Sequence, residues 1–226
     1  MTYYDSTVTI RVKGGVQLPK KTFFNIAEKK QRMITSNAVE VFVSEGYDNA
    51  SVAQIVKKAG IPRGSFYQYF EGKQDLFLYC MEIYQEKKIA MFEPVLSQIG
   101  KKPFLDLYLP LVEYGLKFSR RYPKAQLIGL QLFKSNDISL ENVLKHFQKN
   151  GVKMIEDYLK IDQENGFIKP SADIHTLALM LYRLNARDIL EMLYSDKSDE
   201  EILSVTKKTL DIILYGALED NGEYNI

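Results

Sequence analysis

Ser51-Val-Ala-Gln-Ile-Val-Lys-Lys-Ala-Gly60-Ile-Pro-Arg-Gly-Ser-Phe-Tyr-Gln-Tyr-Phe70 is the stretch whose reading decides the fold. Ser51 and Gln54 make a capping-box pattern, in which the hydroxyl satisfies one free N–H and the amide reaches back. Val52, Ile55, Val56 and Ala59 share the inner face of the helix that follows. Gly60-Ile61-Pro62 breaks it, and Pro62 suits the first turn of another helix running to about Phe70. At about 100° per residue, Phe66 and Phe70 fall together and point inward. Gly64, Ser65 and Gln68 lie opposite, flanked by Tyr67 and Tyr69, with Arg63 at the helix start.

A merely solvated helix favours Lys and Glu on its outer face, and this one does not have them. The face suits a major groove. Glycine allows close backbone approach, glutamine can pair with a base edge, arginine with guanine or phosphate, and tyrosine hydroxyls with phosphates. Ser51 and Lys73 stand beside the N-termini of the flanking helices, whose free N–H groups suit phosphate. A plain helical hairpin with half-buried aromatics is the competing reading of the same residues.

Outward from this stretch the chain is helical throughout. Ile34, Ala38, Val41 and Phe42 recur at helical spacing, and Glu45-Gly46 ends their helix. A fourth helix opens at Gly72-Lys73 and runs through Leu76, Phe77 and Met81 toward Phe92, where Pro94 should disturb or end it. Five more helices are expected near Pro103–Arg121, Pro123–Phe133, Ser139–Asn165, Asp173–Tyr194 and Asp199–Glu219. Residues 1–20 read as an arm, because Val8-Thr-Ile-Arg-Val12 alternates like a strand but has no partner. Lys20 and Lys21, just before the first helix, could touch a phosphate backbone.

The composition excludes several classes. The chain has 226 residues, 46% of them apolar, which suffices for a sizeable core. Its formal net charge is +1, so a DNA site must be local rather than a basic surface. One cysteine, Cys80, rules out an intrachain disulfide and suggests a reducing, cytoplasmic home. No stretch approaches the ~18 apolar residues of a membrane span. The two histidines, His146 and His175, stand on different helices without metal-ligand spacing, and Cys80 has no base placed beside it. No catalytic residue, metal site or cofactor is therefore expected, and the chain does not read as an enzyme.

Helix, Gly46-Tyr-x-x-Ala-Ser51, Ile55-Val-x-x-Ala-Gly-Ile-Pro-Arg-Gly-Ser-Phe-Tyr-Gln-Tyr-Phe70, then Lys73-x-x-Leu-Phe77 closely resembles the DNA-binding domain of the TetR family of transcriptional regulators. The match covers about Ile34–Tyr79. The resemblance implies an all-α protein with a three-helix helix-turn-helix domain and a C-terminal helical bundle that dimerises. On this reading residues 1–25 are an arm, 26–87 the DNA-binding domain, and 88–226 the effector-binding and dimerisation domain. Ser51 caps the second helix and touches phosphate. Arg63, Gly64 and Ser65 start the recognition helix in the groove, Tyr67, Gln68 and Tyr69 contact bases and backbone, and Lys73 holds a phosphate. Val52, Ile55, Val56, Ala59, Gly60, Phe66 and Phe70 hold the two helices together. Two features depart from the family pattern: Val56 stands where many members have alanine, and the arm is long.

The C-terminal two thirds carries no comparable motif. Leu181 and Ile189 belong to one apolar helix, and Ile202, Val205, Ile212 and Ile213 to the last. The segment Leu210–Tyr215 is apolar on more than one side. Either it is a helix buried within the monomer, or it pairs with a second chain in a four-helix bundle; the resemblance implies the dimer. Aromatic and methionine residues of the middle helices, among them Tyr108, Phe118, Phe133 and Phe147, read as plain core or as an apolar pocket. Met154, Tyr158 and Tyr182 extend the same set. The resemblance implies a small-molecule effector, and this lining suggests a hydrophobic or amphipathic one. The expected whole is a ligand-responsive repressor, a homodimer on a near-palindromic DNA operator.

Overall fold

The computed structural model describes residues 19–184 and 197–216. Ten helices run along them: α1 (Lys21–Phe24), α2 (Glu28–Glu45), α3 (Val52–Ala59), α4 (Arg63–Tyr69), α5 (Lys73–Leu96), α6 (Phe104–Arg121), α7 (Pro123–Lys134), α8 (Ile138–Glu164), α9 (Ile174–Arg183) and α10 (Asp199–Tyr215). Among the described residues there is no strand, and no helix is long and apolar enough to cross a membrane. The all-α expectation therefore holds.

Two compact units divide the chain. Residues up to Met91 together with Ser119–His146 form one, and Phe92–Phe118 together with Phe147 onward form the other. The division falls within α5, α6 and α8.

In the first unit, α2 presents Ile34, Ala38, Val41 and Phe42 to the core, each at most 4% exposed. Ile55 and Ala59 of α3, Phe66 of α4, and Leu76 and Phe77 of α5 are buried in the same unit. Phe42, Tyr47 and Phe77 form an aromatic knot, with Phe77 edge-on to both partners at 5.1 and 4.8 Å. Each fully buried aromatic contributes about 2–3 kcal/mol of transfer free energy. Cys80 lies inside this core, where burial pushes its thiol pKa up. The thiolate, which is the nucleophilic form, is thereby suppressed. Helix α7 packs on α2, and Glu40 takes both Lys58 of α3 and Lys124 of α7 at 3.0 Å. Those two ammonium groups hold its carboxyl below the usual carboxylate range.

The second unit is built on Phe104, Tyr108, Val112 and Leu116 of α6, Val152, Ile155 and Leu159 of α8, and Ile174, Ala178 and Leu181 of α9. Ile202 and Leu210 of α10 close it. The buried carboxylate of Asp162 accepts the Phe104 N–H at 2.6 Å, capping the start of α6 from the end of α8. Burial raises its pKa, and that hydrogen bond offsets only part of the rise. At Gly151 a close approach requires glycine: a Cβ there would lie 2.4 Å from the Tyr182 ring.

Two expectations need correction. Pro94 does not end its helix: α5 continues to Leu96, because a proline so near the C-terminus removes one helical hydrogen bond and little else. Residues 21–24 are not plain arm but the short helix α1, anchored by Phe23, which is fully buried.

Candidate nucleic-acid interface

The site is assembled from α3, the turn after it, and α4. Ser51 and Gln54 form the full capping box: Gln54 N–H donates to Ser51 Oγ at 3.3 Å, and Ser51 N–H to Gln54 Oε1 at 2.8 Å. At the far end Gly60 takes a left-handed conformation, φ 61° and ψ 33°, which any residue with a Cβ would resist. Pro62 N-caps α4 in extended conformation. These two residues set the angle at which the second helix leaves the first.

On α4, Phe66 and Phe70 are fully buried, their ring centroids 5.5 Å apart. Ile55 and Ala59 are also buried, while Val52 and Val56 are half-buried. Arg63, Gly64, Tyr67 and Gln68 are exposed, and Ser65 is half-buried. Tyr67 is 42% exposed, a large fraction for an aromatic ring. The Arg63 guanidinium lies 5.9 Å from its centroid and reaches its hydroxyl at 3.5 Å, so the two form one amphipathic group. A Cβ at Gly64 would meet nothing within 4 Å, so the glycine is not demanded by the protein's own packing.

Two of the expected DNA contacts are placed differently. Tyr69 is not on the outer flank: it is 6% exposed, with the Phe23 ring 5.9 Å away and the Lys30 ammonium over its own ring, 5.9 Å from the centroid. The helical wheel leaves it at the edge, and α1 covers that edge. The Lys73 side chain is turned onto the loop before α3. Its ammonium donates to the carbonyls of Tyr47, Asp48 and Ala50 at 2.8, 3.1 and 3.0 Å, and lies 4.5 Å from the Tyr47 ring. All three of its donors are used in closing the loop between α2 and α3.

That loop is clasped from α7 and the residues just after it as well. Gln131 Oε1 accepts the Tyr47 N–H at 3.3 Å, and the Asp48 carboxylate takes the Ser135 hydroxyl and, at 3.0 Å, the Asn136 N–H. These donors hold the Asp48 carboxyl below its ordinary pKa. Asp75 shows the opposite shift. One oxygen accepts the Glu71 N–H at 3.2 Å, the other is buried without a partner, and burial pushes the carboxyl pKa up.

The residues expected around an effector are scattered in burial. Tyr108 is 1% exposed and donates its hydroxyl to the Leu181 carbonyl at 2.8 Å, so it is core. Phe118 is buried, whereas Phe147, Tyr158 and Tyr182 are half-buried. Tyr158 packs on Phe104 with centroids 5.3 Å apart. Phe133 and Met154 are exposed, and Phe133 belongs to the other compact unit from the rest of the set. The seven residues therefore differ in environment, from core to surface.

The expected dimer residues also divide. Leu181 and Ile202 are wholly buried inside the second unit and have no surface to offer a partner chain. Ile213 is half-buried against the same core. Val205 and Ile212, one above the other on α10, are 38% and 57% exposed, with Tyr215 at 80% and Met180 of α9 at 45%. Ile189 lies outside the described residues. No group of three or more His, Cys, Asp or Glu side chains that could hold a metal ion occurs among the described residues.

Sequence reasoning gave Lys20 another role, as a phosphate contact, and passed over Thr22 and Phe23 as parts of this site. The Lys20 ammonium and backbone N–H each donate at 2.8 Å to α4 carbonyls, those of Tyr67 and Tyr69, and Thr22 donates its hydroxyl to the Gln68 carbonyl. No signal in the sequence pairs residues 46 or more positions apart in this way.

Residues 34–80 match the model of the family described as bacterial regulatory proteins, tetR family. Over 189 residues the chain is 23% identical to the fatty acid metabolism regulator protein of Bacillus subtilis, covering 83% of this chain and 95% of that one. Among solved structures, a putative TetR-family transcriptional regulator from Syntrophomonas wolfei superposes with a TM-score of 0.69 at 17% identity, covering 85% of this chain and 98% of that one. The transcriptional regulator FadR from Bacillus subtilis, solved in complex with stearoyl-CoA, gives 0.64 at 19% identity, covering 83% and 99%.

Proposed function

We propose that this chain, a TetR family transcriptional regulator, is a ligand-responsive repressor that binds a near-palindromic operator as a homodimer. The observation that carries the DNA reading is the exposed quartet Arg63, Gly64, Tyr67 and Gln68 on a helix whose other side, Phe66 and Phe70, is fully buried. Each α4 enters one major groove, where Gln68 reads a base edge and Arg63 with Tyr67 contacts base or backbone. Ser65 and Ser51 approach the phosphates. Residues 26–87 form the DNA-binding domain, and residues 88–226 serve effector binding and dimerisation in the cytoplasm. Val205 and Ile212 are the contacts on α10, because apolar side chains left this exposed on one stripe gain most from a second copy.

The effector is a long-chain acyl-CoA or a similarly amphipathic molecule. Support comes from the stearoyl-CoA bound to a neighbour of the same fold, and from the half-buried Tyr158 and Tyr182 beside the second unit's core. A ligand relieves repression only by preferring the protein state that binds DNA less well. Selection of bound sequences from random duplexes by the full chain tests the first part, and an enriched near-palindrome is the expected outcome. No enrichment would leave a protein-interaction module on the same fold. Titrating stearoyl-CoA into the operator complex tests the second, with release expected; an intact complex would remove acyl-CoA while leaving the operator reading in place.

A further inference from the structure

Helix α4 is seven residues long, and helices of that length are marginal without outside support. Its final turn should leave carbonyls without intrahelical partners. The Phe66 carbonyl accepts the Phe70 N–H at 2.9 Å, which leaves those of Tyr67, Gln68 and Tyr69. All three are taken by the segment around α1. Lys20 Nζ donates to Tyr67 O at 2.8 Å, the Thr22 hydroxyl to Gln68 O, and Lys20 N–H to Tyr69 O at 2.8 Å. Lys20 also pairs with Glu71 at 2.9 Å, just past the helix end. Phe23, fully buried, fastens the segment below, its centroid 4.9 Å from Phe70 and 5.4 Å from Tyr79.

We propose that Lys20 and Thr22 are positioning residues for sequence recognition: they cap the recognition helix from a distant part of the chain and hold Tyr67 and Gln68 in the orientation that meets base edges. This rests on the operator-binding reading above. The two residues whose carbonyls receive the Lys20 and Thr22 side chains are the same two whose side chains face outward. A frayed last turn would swing both away. Apparent affinity then falls by the fraction of molecules in which the turn is formed. Random duplex, bound through phosphates alone, does not need that orientation. The cap therefore sets discrimination more than gross affinity, and Lys20 acts on DNA through α4 instead of through a phosphate.

The full chain is first used to enrich an operator from random duplexes. Wild type, Thr22→Val, Lys20→Met and Thr22→Ser are then titrated by fluorescence anisotropy against that operator and a scrambled duplex at several salt concentrations. Phe23 is unchanged in all of them, so the segment keeps its anchor. One lost hydrogen bond predicts roughly two- to tenfold weaker operator binding for Thr22→Val and for Lys20→Met. Scrambled duplex should be bound within about twofold of wild type, the salt slope should not change, and Thr22→Ser should restore operator binding. Amide exchange at Tyr69 and Phe70 should quicken in both weakened variants. Equal losses on both duplexes, or none on either, would overturn the proposal. A salt slope reduced by about one in Lys20→Met would make Lys20 a phosphate contact and overturn it too. Failure of wild type to enrich any sequence strikes the operator reading itself, before the variants are compared.

Discussion

Replacing Lys73 by methionine removes a group that closes the loop between α2 and α3 and leaves its aliphatic bulk in place. The ammonium donates to three carbonyls at 2.8, 3.1 and 3.0 Å and sits 4.5 Å from the Tyr47 ring. A hydrogen bond to a charged group contributes about 1.5–3 kcal/mol. The Asp48 carbonyl lies at the surface and recovers water when the lysine is lost, so the three bonds do not sum. The Tyr47 and Ala50 bonds are partly buried and dominate, giving a loss of about 2–4 kcal/mol. For a chain of this size each kcal/mol lowers Tm by roughly 2–4 °C. Urea unfolding should therefore show a lower midpoint at unchanged m-value, with Tm falling by about 5–15 °C. Binding to random duplex should keep its salt dependence, because no phosphate contact has been removed. A variant as stable as wild type whose log–log salt slope is shallower by about 0.9 would refute the reasoning and make Lys73 a phosphate ligand.

Gln68→Ala should cost about 1–3 kcal/mol at the operator and relax preference at one base position, read by repeating the sequence selection with the variant; a uniform loss on all sequences would make it a backbone contact. Ile212→Glu places a charge on the exposed stripe of α10, and sedimentation should then show folded monomer, whereas a surviving dimer would put the interface elsewhere. Asp162 titrates above its ordinary range because it is buried. The stability its protonated form gives is full below the unfolded value of about 3.9 and is lost as pH rises through the raised folded value. Asp162→Asn keeps the acceptor for Phe104 without that titration, so its stability relative to wild type should improve with rising pH, and a pH-independent difference in urea midpoints would refute the assignment.

Where the chain carries its own punctuation, the sequence was sufficient. Pro123 begins α7, Gly166 follows α8, Asp173 caps α9 through the N–H groups of His175 and Thr176, and the starts of α6 to α10 lie within a few residues of their expected places, while the expected ends at Tyr194 and Glu219 lie outside the described residues. Ser51, Gln54 and Gly60 behave as local chemistry requires, since cap and turn involve neighbours only. What escaped was everything decided by distant contacts. Helix α1 is four residues long and shows no period. Tyr69 sits on the wheel's edge, and only Phe23, 46 positions earlier, settles which side of that edge is dry. Leu181 and Val205 look equally apolar in sequence, yet one is wholly buried and the other 38% exposed, because periodicity gives a face without naming its partner.

Lys20 and Lys73 share a consequence for the electrostatics of the head. Both are lysines near helix ends, where sequence alone suggests phosphate contacts, and both donate to main-chain carbonyls instead. Lys58 is paired with Glu40, which also holds Lys124. A carbonyl-bound ammonium still contributes to the long-range potential, but contact with a phosphate would compete with the bonds it already makes. Only phosphates neutralised at contact release counterions. With both ammonium groups kept on their carbonyls, the log–log salt slope should be shallower by about 1.8 per protomer than a count of the basic residues predicts. The same two lysines, by fixing the α2–α3 loop and the end of α4, keep Ser51, Tyr67 and Gln68 in place, so positive charge is traded here for rigidity, and the head should discriminate sequences well for its modest affinity to DNA in general.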